Sequence, residues 1–350
     1  MKTSIRLAVL ISFFLVGCSA NEPKTLILEG NFPLSISPDL RELSEIEIVC
    51  PDELIFINGY LLIINNCHEK ILQVVSLSSM QNKFFINKGK GPAEMQNAYF
   101  SGHQSGDSLL LINSPSYYAW VHPARMFNDE DYFFNKRQDT YVPFQNINVF
   151  QIQDNWIYND LDGEGFFVFR DKSGAMMNSV DFLPISSYAA ENNQGYVYYS
   201  WTRYNEYHKV FVSALRYFPF LLFTDNEGLY KKIIQTQQNY REPVFPNQKK
   251  MPDEGAQIFN LGVQTSESYI YLYNPNLKVG DQETKADPTI EVFSWEGEPV
   301  LELRLNALVG AVVFDFENGK GYGLKFFPDQ FRLGIAEIKI PADYRHFFMQ

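Results

Sequence analysis

Soft metal ligands are scarce in this chain. Its 350 residues hold 3 cysteines and 5 histidines, and the histidines, at 68, 103, 122, 208 and 346, are scattered without ligand spacing. No C-x-x-C is present, which removes the zinc and dithiol motifs. The G-x-S-x-G elbow, the H-E-x-x-H helix and the G-x-G-x-x-G turn are missing too. No cofactor and no metal are therefore expected. Catalytic residues stay unassigned, because a site built from one residue per structural repeat leaves no local signature. Positive charge is also short: 29 Lys and Arg stand against 41 Asp and Glu, for a net −12. Such a surface repels phosphate backbones and excludes nucleic acid as a partner. Helical periodicity is rare. The longest apolar run in the leader, residues 7 to 16, is about half of what a bilayer span needs.

That short run has a function of its own. Lys2 and Arg6 precede it, and Leu15-Val16-Gly17-Cys18 follows in "LAVLISFFLVGCSANEPK". A charged start, a short apolar stretch and small residues before a cysteine make an export signal. The pattern resembles the lipobox of bacterial lipoproteins, in which the cysteine is acylated and becomes the new N-terminus. The resemblance implies a signal peptide over residues 1–17, lipid attachment at Cys18 and a membrane partner reached through that anchor. Ser19 in place of Asp resembles the outer-membrane sorting pattern. Loss of Lys2 and Arg6 leaves 27 basic against 41 acidic residues, a net −14. An oxidising compartment permits a disulfide between Cys50 and Cys67. The sequence leaves that bond and a pair of buried thiols equally open.

From about residue 45 the chain is short apolar runs broken by turn residues. "ELIFINGYLLIINN" reads as a hairpin turning at Asn58-Gly59, and "VVFDFENGKGYGL" as another turning at Asn318-Gly319. One unit recurs: an apolar strand, a polar turn closing on glycine, and a second strand. It appears around Gly174, Gly228 and Gly297, spaced by 54 and 69 residues. Four strands per repeat on this scale predict blades of a β-propeller. Residues 40 to 350 divide into six blades of about 52 residues each. A β-sandwich with similar hairpins is the competing architecture, and this length would normally split it into domains.

"NKGKGPAE" resembles the G-x-G-P-G-E motif that closes an early blade in TolB-like six-bladed propeller lipoproteins of Bacteroidetes-type bacteria. "YIYLYNP", "IEVFSWEGEPVLELRL", "VVFDFENGKGYGL" and "AEIKIP" resemble that family's last two blades in order. Ala93 departs from the motif by replacing a glycine, and Met95 stands where an aromatic is usual. The resemblance implies an all-β fold, a six-bladed β-propeller of four-stranded blades over residues 41–350. Residues 18–40 are then a lipid-anchored tether that includes a ring-closing strand, placed at 26 to 34 or nearby. The fold says little about activity.

Three local clusters carry chemistry worth weighing. Lys90 between Gly89 and Gly91 suggests a phosphate loop. Pro92 follows where a hydroxyl residue is needed, and no helix pattern comes after. The stretch reads as the joint between two blades, with glycines for unusual dihedrals and Pro92 fixing the exit. Asp160, Asp162 and Glu164 resemble the first half of a calcium loop, but Asp171 occupies the place of the bidentate glutamate, so an acidic hairpin tip is expected. Residues 196–209, "YVYYSWTRYNEYHK", put Tyr199, Trp201, Tyr204 and Tyr207 around Arg203. Aromatic faces with planar polar groups suit sugar recognition; the plain alternative is packing between blades. These five residues are the expected ligand-binding group.

The expected function is a ligand- or protein-binding or scaffolding module on a bacterial outer-membrane lipoprotein, with a glycan or an envelope protein as partner and a link to glycan uptake. The alternative is an enzyme, a metal-dependent lactonase-like hydrolase or a glycan-active lyase or hydrolase, with its site in the central channel. The former alternative needs an inward Glu, Asn and Asp from different blades to converge on a divalent cation.

Overall fold

The computed structural model describes residues 24–28, 31–113, 117–129, 132, 137–138, 143, 148–160, 165–183, 194–246, 251–282, 286–327 and 332–349. The expected signal peptide, Cys18, Asp162 and Glu164 lie outside the described residues. The chain forms a six-bladed β-propeller. From the inner strand outward, blade one is Glu53–Ile57, Tyr60–Ile64, Lys70–Ser76 and Gln81–Lys88. Blade two is Ala98–Ser105, Ser108–Asn113, Tyr117–Val121 and Arg137–Gln138. Blade three is Val149–Ile152, Asn155–Asn159, Phe167–Arg170 and Met176–Val180. Blade four is Ser200–Asn205, Val210–Leu215, Phe220–Asp225 and Tyr230–Gln235. Blade five is Gly262–Thr265, Tyr269–Asn274, Thr289–Ser294 and Pro299–Arg304. Blade six takes Val312–Asp315, Lys320–Phe327 and Arg332–Lys339 from the end of the chain, and its outer strand, Asp39–Glu42, from the beginning.

The continuous apolar runs follow from this architecture. A strand inside a blade is covered on both faces by neighbouring blades, so both sets of alternating side chains must be apolar. In the second strand of blade one, Leu61 and Ile63 pack toward blade six, while Leu62 and Ile64 pack toward blade two. Six apolar clusters result, one at each interface around the ring. The cluster that joins blade six to blade one includes Val313, Ile335, Leu54 and Val75.

The turns behave as their chemistry requires. Asn58 and Gly59 both take positive φ, 47° and 79°, the geometry of a tight hairpin turn. The recurring glycine unit is the outer hairpin of blades three, four and five. Gly174, Gly228 and Gly297 have φ of 89°, 88° and 98°, and each donates its N–H to the carbonyl three residues earlier. Only glycine adopts this conformation without strain. Asp171 and Asp225 each take turn N–H groups on the side chain as well.

The "NKGKGPAE" stretch is the joint between blade one's outer strand and blade two's inner strand. Its glycines differ from expectation in one respect: neither has positive φ. They make room instead. A Cβ on Gly89 would lie 2.0 Å from Glu94 Oε2, and the Gly91 N–H donates to that oxygen at 2.8 Å. Glu94 thus folds back as an internal cap, and its anion replaces the phosphate that such a loop would cradle.

The N-terminal stretch wraps three blades. Lys24–Ile27 adds a parallel strand to blade four, and Ser35–Ile36 adds one to blade five. The closing strand is Asp39–Glu42, antiparallel to Arg332–Lys339, so it lies beyond 26–34 and spans the 40/41 boundary. Cys50 and Cys67 form a disulfide, Cα atoms 6.3 Å apart.

Candidate functional site

Each blade's inner strand begins at one face of the ring, here the upper, and ends at the other. Residues near the strand starts line an upper cavity of about 690 Å³. Residues near the strand ends line a lower one of about 290 Å³. Both cavities touch Ile55, Gly102, Arg203 and Gln264, which form a waist between them. The upper volume falls within the range of small-molecule sites.

Arg203 reaches across this waist. On blade four's inner strand, Ser200 and Thr202 are buried within the blade, and Trp201 and Arg203 on the opposite side line the upper cavity. The guanidinium lies against Gly102 of blade two, where an alanine Cβ would sit 3.0 Å from Nη1. Gly102 also has φ +81°, beside a register shift in its hairpin, so a glycine is needed there twice over. Arg203 Nη1 donates to the Thr202 carbonyl at 3.0 Å. That is its one hydrogen bond to the described residues, and burial lowers its pKa to about 10.

Glu53, at the start of blade one's inner strand, leans over the same strand of blade two. Its Oε2 accepts the Phe100 N–H at 2.7 Å. Phe100 and Gly102 are two residues apart, about 7 Å of strand. Glu53 and Arg203 therefore influence each other's charge without making an ion pair. Burial raises the Glu53 carboxyl to about 7, against the opposing pull of the Phe100 N–H and Arg203. Tyr99 stands beside it, its hydroxyl donating to the Pro143 carbonyl at 3.3 Å, and burial with the nearby carboxylate holds the phenol protonated.

The remaining wall is aromatic and aliphatic. Tyr199 and Trp201 meet edge to face, centroids 6.0 Å apart. The Arg216 guanidinium sits over the Tyr199 ring at 5.5 Å. The Trp201 indole N–H is buried without an acceptor among the described residues. Toward the mouth the lining becomes Leu261, Leu308, Leu324, Phe326 and Leu333. Phe326 and Leu333 are 45% and 39% exposed.

Of the five residues expected to bind ligand, three line the upper cavity: Tyr199, Trp201 and Arg203. Tyr204 borders the lower cavity, with its ring against Phe211 at 4.8 Å, and so partly fills the space between blades. Tyr207 is 68% exposed on the turn after the strand and packs against His208, away from either cavity. Sequence reasoning missed Glu53, Tyr99 and Gln264, each the contribution of a different blade. A charged residue opening the apolar run "ELIFI" was the available signal for Glu53.

Among the described residues the donors of the upper cavity do not converge as a lactonase-like metal site would require. Asn148 lines the upper cavity, but its side chain is committed: Nδ2 donates to Asn159 Oδ1 and to the Ser200 carbonyl, and Oδ1 accepts the Thr202 N–H. Among the described residues no three His, Cys, Asp or Glu side chains come together as a metal site. His103 is a core histidine, taking the Gln151 N–H on Nδ1, and burial lowers it to about 4.

No protein-family model and no curated protein matches the sequence. Solved structures do match. A protein of Bacteroides fragilis NCTC 9343 named as exported aligns over 91% of this chain and 100% of its own, at 10% identity and a TM-score of 0.56. A member of the DUF4221 family from Bacteroides vulgatus ATCC 8482 aligns over 86% of this chain and 94% of its own, at 12% identity and a TM-score of 0.50. At such identities the likeness is one of fold.

Proposed function

We propose that this protein is a cell-envelope lipoprotein of the TolB-like propeller kind, whose ring serves as a binding module for a small ligand in the upper cavity. The observation that carries this is the convergence of Trp201, Tyr199 and Arg203 from blade four with Glu53 and Tyr99 from two other blades. Charged groups held in an apolar cavity without forming an ion pair cost stability unless something else benefits. The committed side chain of Asn148 favours binding over the lactonase-like reading. The N-terminal pattern supports an outer-membrane address with Cys18 acylated, and the Bacteroides neighbour is named as exported. The aromatic wall supports a glycan-uptake role.

Two measurements test this. Trp201→Ala is expected to weaken any ligand of the chamber about tenfold, or about 1.4 kcal/mol, through loss of a ring contact. Calorimetric titration of the purified protein with a panel of glycans and small metabolites checks it; a ligand bound equally by both forms lies elsewhere and rejects the chamber. Cys18→Ser is expected to move the protein from the membrane fraction to the soluble one and to abolish acyl labelling. A variant that still sediments with label defeats the lipoprotein assignment.

A further inference from the structure

We propose that the upper chamber takes a neutral amphipathic molecule whose polar end carries adjacent hydroxyl groups set between Glu53 and Arg203, with its apolar body directed to Leu308, Phe326 and Leu333; this rests on the binding reading above. The first ground is hydrogen-bonding capacity. Arg203 uses one donor on Thr202, and Glu53 accepts one N–H, from Phe100. One side of the gap offers donors and the other an acceptor. Neighbouring hydroxyls both donate and accept, so they satisfy the two at once.

The second ground is charge. Above about pH 7, where Glu53 is ionised, it and Arg203 sum to zero inside a cavity where an extra buried charge is costly. A carboxylate ligand leaves one negative charge in excess, next to Asp52, on a protein of net −12. A cation leaves one positive charge in excess. A neutral head leaves none. The third ground is the gradient along the axis. Arg203 lies deepest, at the waist; Glu53 stands one strand step above it beside Phe100, level with Trp201; and the mouth carries the partly exposed Phe326 and Leu333. A wholly polar ligand would leave that apolar rim wet, and a wholly apolar one would strand Arg203 and Glu53.

Three probes with one tail separate the head groups: n-hexyl β-D-glucopyranoside, hexanoate and hexyltrimethylammonium, each below its micelle concentration. The readout is tryptophan emission of the intact protein at pH 8.5, where Glu53 is ionised, with Trp201→Phe identifying the signal that arises in the chamber. The glucoside is expected to saturate that signal at least tenfold more tightly than either ion. Glu53→Gln leaves Arg203 unbalanced and is expected to put hexanoate ahead; Arg203→Gln is expected to put the ammonium ahead. The wild-type ranking needs only the conservative Trp201→Phe to fold, and neither charge variant. If hexanoate or the ammonium binds the wild type as tightly as the glucoside, or if the ranking stays put in a folded Glu53→Gln, the head-group assignment is wrong and the chamber reading survives. If no probe alters a signal that Trp201→Phe removes, both fail.

Discussion

Replacing Cys50 and Cys67 together by serine lowers stability by about 3 kcal/mol, the loop-closure entropy of a link spanning a loop of this size. The two cysteines are 17 residues apart in sequence. They enclose the first hairpin of blade one and join the segment before its inner strand to the turn before its third. That segment is part of the site. Pro51, Asp52 and Glu53 follow Cys50 directly and line the upper cavity. Asp52 donates its N–H to the Ile64 carbonyl and accepts the Asn66 N–H on its side chain. The bond thus reinforces a wall that already has hydrogen bonds, and the fold is expected to survive its loss. Equilibrium denaturation of wild type with and without reductant, beside the double variant, checks this. Reduced wild type and the variant should coincide, both below oxidised wild type. If reductant leaves the midpoint unchanged, the link contributes nothing.

What could be read in the sequence was local. Asn58-Gly59 and the Gly174, Gly228 and Gly297 units announced their hairpins because each turn needs a backbone that few other residues adopt. Leu61 to Ile64 announced a strand, and that both its faces are covered became visible only in the ring. The closing strand gave no such sign: Glu42 bonds Arg332, 290 residues away, and nothing in "DLRE" names its partner. The site divides the same way. Tyr199, Trp201 and Arg203 were legible because they stand at every second position of one short stretch, on blade four's inner strand and just before it. Glu53, Tyr99 and Gln264 were not, because a channel takes one or two residues from each blade and the chain spaces them by tens of residues. Tyr207 was grouped with the others by proximity in sequence, and the turn that ends the strand turns it outward. Gly89 and Gly91 were read as conformational devices, yet their role is to admit the Glu94 carboxylate.

Removing residues up to Glu42 opens the ring and is expected to cost on the order of 3–5 kcal/mol. Asp39–Glu42 pairs with four residues of Arg332–Lys339, Leu40 lying opposite Ile338. Each ladder hydrogen bond contributes about 1 kcal/mol net, and Leu40 adds partial apolar burial. Two ion pairs go as well, Arg41 to Glu337 at 3.2 Å and Glu42 to Arg332. They are partly exposed and add little. The larger consequence is an uncovered edge. Arg332–Lys339 is 8 residues long, and without its partner it presents a row of unpaired backbone groups to other chains. A truncation series separates this strand from the rest of the wrap. Starting the chain at residue 31 removes the strand on blade four, and starting at 38 also removes the one on blade five. Both are expected to unfold near the wild-type midpoint and to elute at the wild-type size, since they strip additions from blades that already have four strands. Starting at 43 is expected to lower the midpoint sharply and to produce soluble oligomers on size-exclusion chromatography. A protein of wild-type size and unchanged midpoint from residue 43 onward would show that the six interface clusters hold the ring without its closing strand.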